Sequence, residues 1–302
     1  MIYNEKNDGD IYWNTLKDIY LVNCKSGDIN IQTNRISKSL ISFFYNLFPH
    51  PYFDLGLKSF ENRYITSEYE VEQNECDEHQ SEEHSRVELM GMAELYKYIK
   101  DYPVEAITSD NFSIFELQEL HRRLYSHSPH PEEAGKFRSH SIYLPGSGIS
   151  ISQPERIIYD FFDLGDDFTQ IMDLPLNTND DLIDYIQSSV ILTTKLLKVH
   201  PFLDGNGRSI RALLNLMFKK ANVPPVYILP EEKLAYQSAL TKAQTDEEYG
   251  GGNYDDIISF YFHKICNSLI EITDSPNSMG EDFSGDVKEY KKGDFKKYNI
   301  FR

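Results

Sequence analysis

Between Leu182 and Ala221, apolar residues recur at helical spacing, first as Leu182, Ile183, Ile186, Val190 and Leu197, then as Ile210, Leu213, Leu214, Met217, Phe218 and Ala221. One polar stretch interrupts them: His200-Pro201-Phe202-Leu203-Asp204-Gly205-Asn206-Gly207-Arg208. Such a chain must fold as two buried helices joined by a tight loop. Pro201 ends the first helix, because the residue before a proline is pushed out of the αR region, and that residue is His200. Gly205 and Gly207 admit positive φ and let a ligand approach main-chain N–H groups closely. The second helix is expected to begin near Arg208 or Ser209, its first-turn donors and dipole favouring an anion at the loop.

Each side chain in the loop fits a task on a phosphate ester. His200 is the only group there that titrates near neutrality, which suits a general base for a hydroxyl; the competing role is a helix-capping core histidine. Asp204 suits either a magnesium ion, which often takes one carboxylate plus phosphate oxygens and waters, or a helix N-cap. Arg208 and Arg211 lie three apart on one helical face, so both guanidinium forks reach the same side of the first turn. Phe202 is expected to pack inward and anchor the loop.

The string HPFLDGNGR followed by Arg211 resembles the signature of the Fic domain, whose members mostly transfer AMP from ATP to hydroxyl side chains of proteins. Upstream, Gly135-Lys136-Phe137-Arg138 and the extended stretch from Ser139 to Ser152 are similar to the family's Gly-x-[Phe/Tyr]-Arg element and its β-hairpin flap. Downstream, Val223-Pro224-Pro225-Val226 and the helix carrying Tyr236 and Gln244 match the segment that closes over adenosine. The likeness spans roughly residues 60 to 270.

The resemblance implies a protein adenylyltransferase that uses ATP and Mg²⁺. His200 would take the proton of a target Ser, Thr or Tyr hydroxyl; that hydroxyl attacks the α-phosphorus and displaces pyrophosphate. Asp204 would hold magnesium. Gly205, Asn206, Gly207 and Arg208 would bind phosphate oxygens, and Arg211 would face the γ-phosphate. ATP contacts extend to Tyr236, Gln244 and the flap residues Leu144 and Gly146. The flap, with Ile142, Tyr143 and Leu144, would dock a target protein by β-augmentation. A homodimer is compatible with the likeness. The family's inhibitory pattern, [Ser/Thr]-x-x-x-Glu-[Gly/Asn], is followed from Thr66 to Glu70, and the chain departs from it at Val71, where Gly or Asn is expected. Glu70 would then occupy Arg211 and repel the triphosphate. A solvated acidic run is the plainer reading of the same residues. Alternatives are removal of AMP, transfer of another phosphate-containing group, and a non-catalytic scaffold or toxin-pair module.

The net charge of −18 over 302 residues argues against a nucleic-acid partner, since phosphate backbones demand clustered Lys and Arg. Cys24, Cys76 and Cys266 show no metal spacing, which points to free thiols in a reducing compartment. Neither a signal peptide nor a membrane span is legible, so a cytoplasmic location is expected. His79 and His84 among acidic neighbours match no zinc pattern, and the glycines at 250–252 read as a turn.

The architecture expected is all-α, a Fic-type helical bundle with one β-hairpin flap. An N-terminal helical extension covers 1–60. A core follows over 61–273, with an inhibitory helix at about 64–75, a flap at about 139–153 and the catalytic loop at 200–208. Residues 274–302, rich in Ser, Gly, Asp and Lys, are expected to be disordered. Helices are expected at Ile36–Phe48, twice within 66–100, and over Ser113–Tyr125, Glu155–Phe168, Glu231–Gln244 and Tyr254–Ile272. The first thirty residues are polar and mixed, with Trp13 and Tyr20 as anchors.

Overall fold

The computed structural model describes residues 5–24, 31–47, 57–72, 82–144, 149–248 and 252–274. Ten α-helices lie among them: α1 (Glu5–Cys24), α2 (Ile31–Leu47), α3 (Lys58–Glu72), α4 (Glu82–Asp101), α5 (Glu116–Leu124), α6 (Ile157–Met172), α7 (Asn179–Val199), α8 (Asn206–Lys220), α9 (Lys233–Glu248) and α10 (Asp255–Asp274). Gly146, the acidic run with His79, the Gly250–Gly251 turn and the C-terminal tail lie outside the described residues.

Helix α8 is the axis of the bundle. Its side chains are buried almost all round, from Asn206 to Lys219, with α3, α4, α5 and α7 packed against it. A helix buried on every side needs polar groups only where they find partners. Asn215 finds its own, accepting the Val226 N–H at 2.8 Å and donating to the Val226 carbonyl at 2.9 Å and to the Tyr64 hydroxyl at 3.2 Å. That pins the segment after α8 into the core, where Val223 and Val226 are buried. Helix α7 starts at a capping box: the Asp181 N–H donates to Thr178 Oγ1 at 3.1 Å, and the Thr178 N–H donates to Asp181 Oδ2 at 2.9 Å.

Residues 5–24 form a helix that the sequence pattern did not reveal. Trp13, Leu16 and Tyr20 lie on one face of α1 and are buried, but polar neighbours dilute the period. Trp13 packs on Phe44 at 5.0 Å between ring centroids, and the Tyr20 hydroxyl reaches His263 Nδ1 at 2.7 Å and Asn267 Oδ1 at 2.9 Å on α10. One hydrophobic cluster runs from Trp13 to Ile272, so α1 and α2 belong to the same core as the rest.

The expected hairpin is not seen among the described residues: no strand occurs in them, 139–144 and 149–153 included. A guanidinium joins the two arms where a backbone ladder would have. Arg138 donates through Nη1 to the His140 carbonyl at 3.0 Å and through Nη2 to the Ser152 carbonyl. Ser141 Oγ reaches Gln153 Oε1 at 3.3 Å. Side-chain donors thus take up carbonyls that strand pairing would use.

Candidate active site

The loop after α7 is held by its own residues and by one arginine. His200 is the C-cap of α7 in the left-handed region, φ 52° and ψ 60°, a conformation that costs a non-glycine residue on the order of 1–3 kcal/mol. Two bonds from Arg138 hold it there: Nε donates to the His200 carbonyl and the main-chain N–H to the Pro201 carbonyl, each at 2.8 Å. Asn206 closes the loop on itself, accepting the Phe202 N–H at 2.9 Å and donating to the Phe202 carbonyl at 2.8 Å. Gly205, at φ 71°, is the N-cap of α8.

These bonds correct several expectations. Helix α8 begins at Asn206, because the Asn206 side chain and Gly205 complete the turn before Arg208 is reached. The Asn206 amide is buried and bonded within the loop through both its oxygen and its nitrogen, so it organises the loop backbone. Of the two glycines only Gly205 has positive φ; Gly207 is helical, and its missing side chain makes room. A Cβ there would stand 2.7 Å from Glu72 Oε1 and 2.8 Å from Arg211 Nη1.

The two arginines face different partners. Arg208 is buried, donates to Glu88 Oε1 on α4 at 3.0 Å, and approaches Asp204 Oδ2 at 3.4 Å. Arg211 donates through Nε to Glu68 Oε2 and through Nη2 to Glu72 Oε1, each at 2.7 Å. Glu70, the carboxylate expected at Arg211, is exposed. At about 100° per residue, Glu70 lies roughly 200° round α3 from Glu68, whereas Glu68 and Glu72 share a face. The sequence pattern is therefore out of frame by two residues, and the i, i+4 spacing of glutamates was the signal that locates the right pair. Glu68 also accepts the Ile228 N–H at 3.0 Å.

A cavity of about 860 Å³ opens beside the loop, and its walls include Glu72, Leu144, Leu197, His200, Gly207, Arg211, Tyr236 and Gln244. The structure thus brings together His200, Gly207, Arg211, Tyr236, Gln244 and Leu144 of the expected site. Asp204, its side chain 73 % exposed, and the buried Arg208 stand outside those walls. A second cavity of about 510 Å³, between α1, α3 and α10, has its cations already paired: Arg63 with Glu271 at 3.1 Å and Lys264 with Glu232 at 2.6 Å.

Burial pushes the His200 imidazole below the usual histidine range, and the Arg138 cation adds to this against the Leu197 carbonyl, Asp204 and Glu72. His200 Nδ1 faces the Leu197 carbonyl at 3.3 Å, so Nδ1 carries the proton and Nε2 keeps a lone pair. Partial desolvation by the surrounding loop opposes ionisation of the largely exposed Asp204, yet Arg208 and the Tyr125 hydroxyl hold its carboxyl below the usual range. Glu72 behaves alike: burial raises it, and Arg211 with Arg208 outweigh the burial.

Two residues of α5 and its C-cap complete the site; from sequence His121 is expected only to pack or lie at the surface, and Tyr125 only to end a helix. His121 is buried, accepts the Gly135 N–H on Nδ1 at 2.8 Å, and meets the Asp204 carbonyl with Nε2 at 3.0 Å. The Tyr125 hydroxyl donates to Asp204 Oδ2 at 2.6 Å.

The Fic/DOC family profile matches residues 111–218. A protein adenylyltransferase Fic of Nematostella vectensis is 31 % identical over 156 residues, covering 52 % of this chain and 34 % of its own length. Protein adenylyltransferase fic-1 of Caenorhabditis elegans is 36 % identical over 132 residues, covering 43 % of this chain and 24 % of its own. The chain thus spans about a third or less of the length of these curated relatives. Among solved structures, a Fic-1 fragment from C. elegans superposes with a TM-score of 0.55 at 19 % identity, covering 88 % of this chain and 71 % of that one. A Fic domain containing signaling protein from Bacteroides thetaiotaomicron gives 0.55 at 17 % identity, covering 86 % and 99 %. These structural likenesses establish a shared fold.

Proposed function

We propose that this chain, with a Fic/DOC-type domain over residues 111–218, is a protein adenylyltransferase that is held off by its own α3. The observation that carries the reading is the cavity in which a base, an anion cradle and a buried guanidinium converge: His200, Gly207 and Arg211. His200 Nε2 takes the proton of a Ser, Thr or Tyr hydroxyl on a target protein. The hydroxyl oxygen forms a bond to the α-phosphorus of ATP, the bond from that phosphorus to the β-bridging oxygen breaks, and pyrophosphate leaves. The first-turn N–H groups of α8 and Arg211 face the charge that develops. Tyr236, Gln244 and Leu144 supply the walls for the nucleoside.

The chemistry of Asp204 fits a magnesium ion: an ionised, exposed carboxylate at the helix start, next to where phosphates would lie. Among the described residues no group of three or more His, Cys, Asp or Glu could hold a metal, so the remaining ligands would come from phosphate and water. When bound, magnesium supplies neutralisation of phosphate charge.

Inhibition rests on Glu72. Its carboxylate lies against Gly207 and pairs with Arg211, which places negative charge where a triphosphate would go. Glu72 is 34 % exposed and Glu68 only 1 %, so Glu72 is the carboxylate that can leave, while Glu68 keeps the buried Arg211 paired. Incubation with ATP labelled at the α- or the γ-phosphate tests the whole reading. The Glu72→Gly protein is expected to label itself or an added target from α-labelled and not from γ-labelled ATP, more than the parent does. His200→Ala lowers that labelling by ~10²- to 10⁴-fold. Label arriving from the γ-phosphate, or a Glu72→Gly protein inert with both, overturns the assignment.

A further inference from the structure

Asp204 is gripped twice by one short helix. His121 and Tyr125 are four residues apart on α5 and its C-cap, so they project from the same side, one turn from each other. His121 accepts the Gly135 N–H on Nδ1; this leaves the proton on Nε2, which donates to the main-chain carbonyl of Asp204 at 3.0 Å. Tyr125 takes the other end, its hydroxyl donating to Asp204 Oδ2 at 2.6 Å.

We propose that Tyr125 is a positioning residue that orients the Asp204 carboxylate to receive a divalent cation, a role that rests on the nucleotide-transfer reading above. Three observations carry it. The ring has little freedom: it stacks on His121 with centroids 4.7 Å apart at 29°, and His121 stacks on Phe202 at 3.9 Å and 29°. Phe202 is fully buried in the loop, so the three rings form one column against the loop. The loop also makes room for the ring. A Cβ on Gly205 would come within 2.7 Å of Tyr125 Cε2 and 3.0 Å of its hydroxyl, so this glycine serves the close approach of Tyr125 as well as the positive φ.

The third observation concerns which oxygen is held. Arg208 Nη2 approaches the same Oδ2 at 3.4 Å and the Tyr125 hydroxyl at 3.4 Å, while its Nη1 is fixed by Glu88. Both side-chain donors therefore converge on Oδ2, and Oδ1 is the oxygen presented to the cation. Among the described residues Asp204 belongs to no cluster of three or more metal-ligating side chains, so the aim of its carboxylate matters to the cation. Partners that orient a metal-binding carboxylate typically govern metal affinity ~10- to 100-fold.

Isothermal titration of α,β-methylene-ATP, with and without Mg²⁺, separates this role from packing. The proteins are Glu72→Gly, Glu72→Gly/Tyr125→Phe and Glu72→Gly/Asp204→Asn, each with its thermal unfolding recorded. In the Glu72→Gly parent Mg²⁺ tightens analogue binding, and Asp204→Asn abolishes that factor. Tyr125→Phe is expected to cut the factor about 10-fold or more with metal-free affinity unchanged, while its unfolding midpoint falls only modestly for the lost hydrogen bond. Should Tyr125→Phe keep the full factor while Asp204→Asn loses it, the hydroxyl only packs and the proposal fails alone. A parent in which Mg²⁺ changes nothing, or an Asp204→Asn protein that keeps the factor, sinks the metal reading and the proposal together. If Tyr125→Phe lowers metal-free affinity equally, its effect is structural and the proposal also fails.

Discussion

At the scale of single residues, the loop's chemistry was legible but its division of labour was not. His200, Gly207 and Arg211 line the cavity as their residue types suggest, whereas Asn206 spends both ends of its amide on Phe202. A side chain's hydrogen-bonding capacity is visible in a sequence; whether its own backbone claims that capacity first is not. For His200 the decisive influence is burial, which favours the neutral form that a general base needs. The acid limb of kcat/KM for the Glu72→Gly protein is therefore expected below the ordinary histidine value of about 6.5. Since Glu72 raises the His200 pKa, its removal moves the limb further down. A pH–rate profile with its acid limb at or above that value would falsify the assignment of His200 as a buried neutral base.

At the scale of elements, α3 and α5 decide what α8 can bind. The acidic stretch on α3 reads in sequence as one run, but a helix shows only one face to Arg211, and that face carries Glu68 and Glu72 with Glu70 turned away. Because the folded state lowers the Glu72 pKa, the pair contributes stability above the unfolded carboxylate value, and that stability is lost as pH falls through the lower folded value. The stability advantage of the parent over Glu72→Gln is thus expected to be constant near neutrality and to shrink from about pH 5 downward. Chemical denaturation at a series of pH values checks this, and an advantage that grows on acidification counts against the pairing. The flap shows the same dependence on a neighbouring element: an extended pattern suggested paired strands, and Arg138 binds the arms together by their carbonyls.

At the scale of the whole molecule, the N-terminal helices are part of one core. Trp13 is 5 % exposed and packs on Phe43 and Phe44, and Tyr20 bonds to α10, which in turn packs on α7 and α9. Truncating Trp13 to Ala is expected to cost about 3–5 kcal/mol, with roughly 2–4 °C of midpoint lost per kcal/mol in a single cooperative transition. Calorimetry that resolves two transitions, with the larger one unmoved, would show that α1 and α2 fold apart from the rest. Among the described residues no helix is long and apolar enough to cross a membrane.

By itself the sequence determined the local features: most of the helices from their apolar period, the loop from Pro201 and its glycines, and the base and guanidinium from residue type. The tertiary structure decided everything that depends on which faces meet. It chose Glu68 and Glu72 over Glu70, turned Arg208 toward Glu88, and set His121 and Tyr125 against Asp204 from 83 and 79 residues away. The reason is physical. Periodicity and backbone preference act within a few residues, whereas a buried charge or ring is placed by the partner that packing brings to it.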